Sequence, residues 1–187
     1  MSFIRQLVLI FGKLLYGSEY LKGRYFNKNS IGPRWILQCW FWQKIMRYNS
    51  DANWPISHRM EVSNAKNIIF DPEDMQIFHT YGSYFQAFSA KIYIGKGTWI
   101  APNVGIITAN HDLNNIDSHS LGKDVIIGEK NWIGMNSVIL PGVVLGPKTV
   151  VGAGSIVTKS FPEGHCVIAG NPARIIKFLK EADENHD

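Results

Sequence analysis

The sequence predicts a mainly β fold, a parallel β-helix that turns a corner every six residues, led by a helical basic segment. Three observations predict it. Aliphatic residues recur with period six between residues 94 and 157, the N-terminal stretch spaces its apolar residues as a helix does, and positive charge is concentrated in the first fifty residues.

The chain has 187 residues, enough for one domain with a substantial core. Its 45% hydrophobic and 18% charged content is that of a globular protein and excludes an acidic or low-complexity disordered chain. The net charge of +4 is unevenly spread. Residues 1–50 hold eight Lys/Arg against the single acid Glu19, a net +7, so the rest of the chain, from Asp51 on, is net −3. A basic segment on a mildly acidic body attracts phosphates, nucleic acid or anionic membrane surfaces. No nucleic-acid motif accompanies it, so nucleic acid is set aside. Cys39 and Cys166 are too few and too far apart for a disulfide framework or a metal pair, and read as reduced cytoplasmic thiols.

Residues 1–60 read as the helical basic segment. Phe3, Leu7, Ile10, Phe11 and Leu14 fall on one helical face. The apolar run Leu7–Phe11 is too short for a membrane span, which needs about 20 residues, and no small-residue cleavage site follows it. In PRWILQCWFWQKIMRY, the residues Trp35, Cys39, Trp42 and Met46 form a stripe suited to core packing. Trp40, Phe41 and Ile45 make the opposite side apolar too, which with the +7 charge suits peripheral contact with the inner face of a membrane.

Residues 61–187 form the second unit. From 127 the chain reads IGEKNW, IGMNSV, ILPGVV, LGPKTV, VGAGSI, VTKSFP, led by Ile127, Ile133, Ile139, Leu145, Val151 and Val157. The same register runs upstream through Ile94, Ile100 and Ile106, and Phe88 is placed to begin an earlier copy. Ile, Val and Leu are 45 of 187 residues. Nine aliphatics in nine positions would then arise by chance on the order of three times in a million, so the period is real. Six fits neither the 3.6 of a helix nor the 2 of a lone strand. It fits three short strands per triangular coil, with the aliphatic residue inside and Gly permitting close approach and unusual φ/ψ at the corners. The flat faces of such a prism pack on copies of themselves.

The interval from Ile106 to Ile127 is far longer than one hexapeptide step. The excess is an insertion that runs from His111 as HDLNNIDSHSLGKDV. This polar stretch, near 111–125, reads as an exposed loop thrown out from a corner. His111 stands at its foot, on rigid β-structure beside a cleft. A neutral imidazole is a suitable base for a hydroxyl near neutral pH; capping the loop by hydrogen bonding is the plainer role.

In WIG, PGVVLG, VGAGSIVTKSFP and GNPAR the chain resembles the hexapeptide-repeat acetyltransferases, in particular the maltose, galactoside and polysaccharide O-acetyltransferase branch. The resemblance implies a left-handed parallel β-helix, and a short C-terminal helix after GNPA in VIAGNPARIIK, Val167–Lys177. It implies acetyl-CoA as co-substrate, no metal, and a homotrimer with active sites between subunits. The implied reaction moves an acetyl group to a sugar hydroxyl, of a surface polysaccharide or its precursor, by direct attack on the thioester with His111 as general base. Positions matching cofactor contacts are Met135, Ala153, Thr158, Lys159, Arg174 and Lys177, and those matching the acceptor side are Asn110 and Trp132. An Asn within an N-F-N stretch of the family becomes Ala87-Phe88-Ser89 here, which leaves the oxyanion donor to a backbone N–H, Asn110 or Gln86.

The other histidines carry weaker readings. His79 and His119 with His111 invite comparison with a related zinc β-helix, but the required close spacing is missing. His165 reads as a solvated turn residue, and His58 as structural, with a place lining the acceptor cleft as its other reading. A small non-glycan acceptor, such as serine or an antibiotic, and a non-catalytic scaffold stay open as other functions.

Overall fold

The computed structural model describes residues 3–27 and 31–180. The chain opens with helix α1 (Phe3–Leu15), a 3-10 turn at Ser18–Tyr20, and helix α2 (Gly32–Trp40), which runs on into a π-helical turn at Phe41–Ile45. Short strands follow: β1 (Glu61–Val62), β2 (Ile68–Phe70), β3 (Tyr84–Gln86), β4 (Ile92–Ile94), β5 (Trp99–Ile100), β6 (Gly105–Ile107) and β7 (Val125–Ile127). They continue as β8 (Trp132–Ile133), β9 (Val138–Ile139), β10 (Val144–Leu145), β11 (Val150–Val151), β12 (Ile156–Val157), β13 (Cys166–Ala169) and β14 (Arg174–Phe178). They stack in three sheets, ordered β1-β3-β6-β9-β12, β10-β7-β4-β2 and β14-β13-β11-β8-β5. We call these the first, second and third faces of the prism. From β3 to β12 successive strands visit the faces in turn, and every pairing except β13 with β14 is parallel.

The hexapeptide register sets this geometry. Ile94, Ile100, Ile106, Ile127, Ile133, Ile139, Leu145, Val151 and Val157 all point inward, none more than 5% exposed. Each such burial contributes about 1.5–3 kcal/mol. Ile139 pairs with Val157, three hexapeptide steps and one full coil further on. Ile106 pairs with Ile139, also one coil further on, but the extruded loop lies in the chain between them. Phe88 does not begin an earlier copy: it is exposed, and Phe85 is the inward residue paired with Ile106.

The two roles expected of glycine fall at different positions of each corner. The left-handed torsions fall three residues after an inward aliphatic, at Gly97, Asn103, Lys130, Asn136, Gly142, Lys148 and Gly154, with φ of 52° to 81°. Asn and Lys share that position with Gly. The glycine directly after the aliphatic serves a close approach instead. A Cβ on Gly128 would meet the Gly146 carbonyl carbon at 2.7 Å, and one on Gly134 the Val151 oxygen at 2.6 Å. One position past the left-handed residue, small polar side chains are buried: Thr98, Asn131, Ser137, Thr149 and Ser155. Hydroxyls among them cap corner carbonyls, Thr149 donating to Gly146 at 2.8 Å and Ser155 to Gly152 at 2.6 Å. Buried corner carbonyls need such donors.

The expected C-terminal helix is not what the described residues form. Arg174–Phe178 is β14, antiparallel on β13, reached through a turn with Gly170 at φ +103°. It pairs the free edge of the last third-face strand, an edge that would otherwise be open to another chain. Residues 181–187 lie outside the described residues.

The other end of the prism is plugged by the N-terminal segment. Trp35, Trp54, Ile56, Ile77 and Phe78 join Phe85 and the inward aliphatics in one core. Gln43 is wholly buried and fully used: its amide oxygen accepts from the Tyr16 hydroxyl and the Ile56 N–H at 3.0 Å each, and its NH2 donates to the Trp54 carbonyl at 3.1 Å. Arg24 binds Asp74 at 3.0 Å, and Asp74 in turn accepts the Gly97 N–H at 2.6 Å, tying the segment to a prism corner. Of the predicted core stripe, Trp35 and Cys39 are buried, Trp42 stacks on His58 at 4.3 Å, and Met46 is exposed. The predicted α1 face forms, but all its members except Phe11 point outward, while Gly12 packs against Ile36 of α2.

His79 lies flat on Trp35, with ring centroids 3.8 Å apart. Burial pushes its imidazole down to about 3, opposed by a hydrogen bond with the Pro55 backbone. The folded protein therefore holds His79 neutral, while the unfolded chain takes up a proton near the ordinary value of 6.5. Stability present above pH 6.5 is lost as pH falls toward 3. His79→Phe keeps the stack and removes the titration, so its urea midpoint should fall less than that of the wild type between pH 7.5 and pH 5. Equal falls would contradict this.

Candidate active site

The extruded loop leaves the prism where the first face turns into the second, between β6 and β7. Its foot is braced on the coil before. Gln86 on β3 accepts from the N–H groups of Thr108 and Ala109 at 3.2 and 2.9 Å, and the Thr108 hydroxyl donates to the Gln86 carbonyl at 2.8 Å. The Gln86 amide oxygen is thus committed to holding the foot. The loop then folds on itself. His111 and His119 form an antiparallel bridge, Asp112 N–H donates to Ser118 at 2.9 Å, and Ser120 donates to the Asn110 carbonyl through both its N–H and its hydroxyl at 2.9 and 3.0 Å.

These contacts fix one imidazole edge. His111 Nδ1 lies 2.7 Å from the Ile116 carbonyl oxygen. A carbonyl only accepts, so Nδ1 carries the proton, and in the neutral ring Nε2 carries the lone pair. The residue is exposed and lines an open cleft of about 540 Å³ with Asn110, Asp112, Leu113, Asn114 and Ser120. His119 stands beside it, ring centroids 4.4 Å apart, and Phe88 meets His119 edge-on at 5.9 Å. The sequence joined His119 to His111 only through the zinc comparison and offered no reason to add Phe88: the contact depends on how the loop doubles back.

The remaining predicted residues do not converge on this cleft within one chain. Met135 and Ala153 are exposed on the edge from the third to the first face, one above the other, with Gly154 N–H donating to the Met135 carbonyl at 2.8 Å. Thr158 and Lys159 are exposed on the edge from the first to the second face, the edge from which the loop springs, with Lys159 Nζ 5.6 Å from the Phe161 ring. Arg174 and Lys177 lie on β14 beside the third face, and Arg174 donates to the Ala173 carbonyl at 2.9 Å. Trp132 is on the third face, exposed and in register with Trp99. Asn110 is at the cleft. The three histidines of the zinc comparison are not gathered: His79 is under Trp35, away from the His111–His119 pair, and no cluster of three His, Cys, Asp or Glu suited to a metal occurs among the described residues.

Comparison with known proteins bears on the repeat and the fold. The family model "Bacterial transferase hexapeptide (six repeats)" matches residues 124–159. Over these residues the repeat is similar to the transferase hexapeptide. Galactoside O-acetyltransferase of Escherichia coli is 38% identical over 102 residues, covering 51% of this chain and 48% of the relative. WbbJ of the same species, provisionally named a lipopolysaccharide biosynthesis O-acetyl transferase, is 34% identical over 130 residues, covering 60% of this chain and 62% of the relative. This chain therefore spans between about half and three-fifths of the length of these curated relatives. Among solved structures, the hexapeptide-repeat acetyltransferase of Vibrio cholerae complexed with acetyl coenzyme A superposes with a TM-score of 0.55 at 31% identity, covering 65% of this chain and 66% of the other. The hexapeptide match, the parallel faces and this likeness support a left-handed parallel β-helix of the acetyltransferase kind.

The brace under the loop gives a direct test. Gln86→Leu leaves the Ala109 N–H at the loop foot without its acceptor and the Thr108 N–H with the Gln86 backbone carbonyl alone. Hydrogen exchange of the Thr108–Ser120 segment should accelerate at least tenfold while the core strands keep their protection. Unchanged exchange in the segment would show that the brace is idle.

Proposed function

We propose that the protein is an acetyl-CoA-dependent O-acetyltransferase acting on a sugar hydroxyl, with His111 as general base. The observation that carries the reading is the 2.7 Å contact of Nδ1 with the Ile116 carbonyl, which leaves Nε2 as a directed acceptor at the mouth of an open cleft. The acceptor hydroxyl gives its proton to Nε2 as its oxygen attacks the thioester carbonyl. The carbon–sulfur bond of the resulting tetrahedral species breaks, and the imidazolium returns the proton to the departing thiolate. No acyl-enzyme and no metal ion enters this sequence. The oxyanion needs an N–H donor; a backbone N–H, the Asn110 amide or the NH2 group of Gln86, whose oxygen is held by the loop foot, serves that role.

The residue placement supports a site completed between copies. Met135 and Ala153 occupy one edge of the prism, and the loop foot with Lys159 another. A groove between two prisms draws one edge from each. In a homotrimer three such grooves form. The thioester arm runs along Met135 and Ala153, and Lys159, Arg174 and Lys177 supply cations for the phosphates. The exposed Trp99 and Trp132 ladder on the third face offers an apolar wall to the assembly or to a sugar ring. The likeness to a galactoside O-acetyltransferase and to WbbJ favours a glycan acceptor, in a surface polysaccharide or its precursor, over serine or an antibiotic.

Positioned bases are worth about 10² to 10⁴ in rate. His111→Ala should therefore lower kcat at least a hundredfold with both substrates in excess, while calorimetric CoA binding stays within threefold of wild type. Near-normal turnover would remove His111 from the mechanism, and lost CoA binding with loosened structure would mean that it only caps the loop. Light scattering should give a trimer; a fully active monomer would refute the shared groove.

A further inference from the structure

We propose that the outward face of α1 is an interfacial anchor that lays the protein on an anionic lipid surface. The helix is apolar on two opposite sides. One side, with Val8, Leu9 and Leu15, leans on the small core built around Ile36 of α2. The other presents Phe3 at 73% exposure, Ile4 at 72%, Leu7 at 49%, Ile10 at 59% and Leu14 at 79%. Phe3, Leu7, Ile10 and Leu14 fall within one narrow stripe of the helical wheel. Leu37, Phe41 and Ile45 on α2 and its π-helical turn are exposed as well, and the edge-on contacts Phe11–Trp40 at 5.8 Å and Trp40–Phe41 at 6.0 Å link the two helices.

The charge around this surface selects its occupant. α1 carries Arg5 and Lys13 and no acid, and the first fifty residues hold a net +7. Two copies brought together through this face would repel, whereas a bilayer rich in anionic headgroups offers apolar depth and opposite charge together. Arg5 is engaged with the Phe26 and Asn27 carbonyls, which holds the helix against the body. Lys13, Lys22, Arg34 and Arg47 are exposed. A helix of this length, 13 residues, spans about 20 Å, short of the roughly 30 Å hydrocarbon core. No helix among the described residues is long and apolar enough to cross a membrane. The geometry is that of a helix lying in the interface. The sequence pointed to Trp40, Phe41 and Ile45 for this role; Phe41 and Ile45 are exposed, Trp40 is half-buried against Phe11, and the larger exposed stripe is on α1.

The inference does not depend on the catalytic reading, and its test needs no turnover. The full chain is sedimented with vesicles of phosphatidylcholine and phosphatidylglycerol at 3:1, and with phosphatidylcholine alone. The expected result is binding to the anionic vesicles that weakens at least fivefold between 50 and 500 mM salt, and at least tenfold in Leu7→Glu/Ile10→Glu. The variant should keep the wild-type circular dichroism. Leu14→Ser, a milder change at the most exposed position, should lower the partition without disturbing the fold. No binding by the wild type, equal binding by these variants, or loss of oligomer in the variants without any vesicle binding by the wild type would each overturn the proposal. The last would mark the face as a contact between copies.

Discussion

One constraint governs the molecule: a chain that must turn a corner every six residues while keeping one aliphatic side chain inside. The inward residue supplies the burial, and the left-handed residue three positions later supplies the turn. The glycine between them lets adjacent coils approach to backbone contact. A Cβ there would push coils apart and open the parallel ladders that satisfy the backbone. Everything functional is hung on this frame. A loop can be extruded at one corner only because the coils on either side resume the same register, as the pairing of Ile106 with Ile139 shows.

The inward face was legible because period six is a strong signal over nine positions. The corner chemistry was less so. Left-handed backbone is reached by Asn and Lys as well as Gly, so the turning residue carries no single-letter signature. The buried Thr and Ser of the same corners look like ordinary surface polar residues until their carbonyl partners are seen, and Asn131 until the Thr149 N–H on its amide oxygen is. The C-terminal segment misled for a related reason. RIIKF has the β-branched pair of a strand, and tertiary pairing with β13 decided its state. On α1 the stripe was correctly grouped, but a helix apolar on two sides does not say which one faces the core.

The candidate site divides in the same way. His111 was legible because it ends an ordered run at a measurable insertion. Its tautomer was not, because the Ile116 carbonyl that sets it arrives from further along the loop. Nor was the company of His119 and Phe88, which depends on the loop doubling back. The cofactor-matching positions scatter over two edges and a face in one chain. Period alone could not show this, since edge identity depends on counting corners through the insertion. Scatter within a chain is what a groove between prisms requires.

The central claim is that one chain brings the base and a neighbour brings the edge carrying Met135 and Ala153. The most direct test is complementation between two inactive chains. His111→Ala lacks the base, and Ala153→Trp fills the groove edge, so each alone should form an inactive trimer. Mixed by refolding or co-expression, they should regain acetyl transfer, because some grooves then pair an intact loop with an intact edge. Mixed trimers that form but stay inactive would contradict the claim.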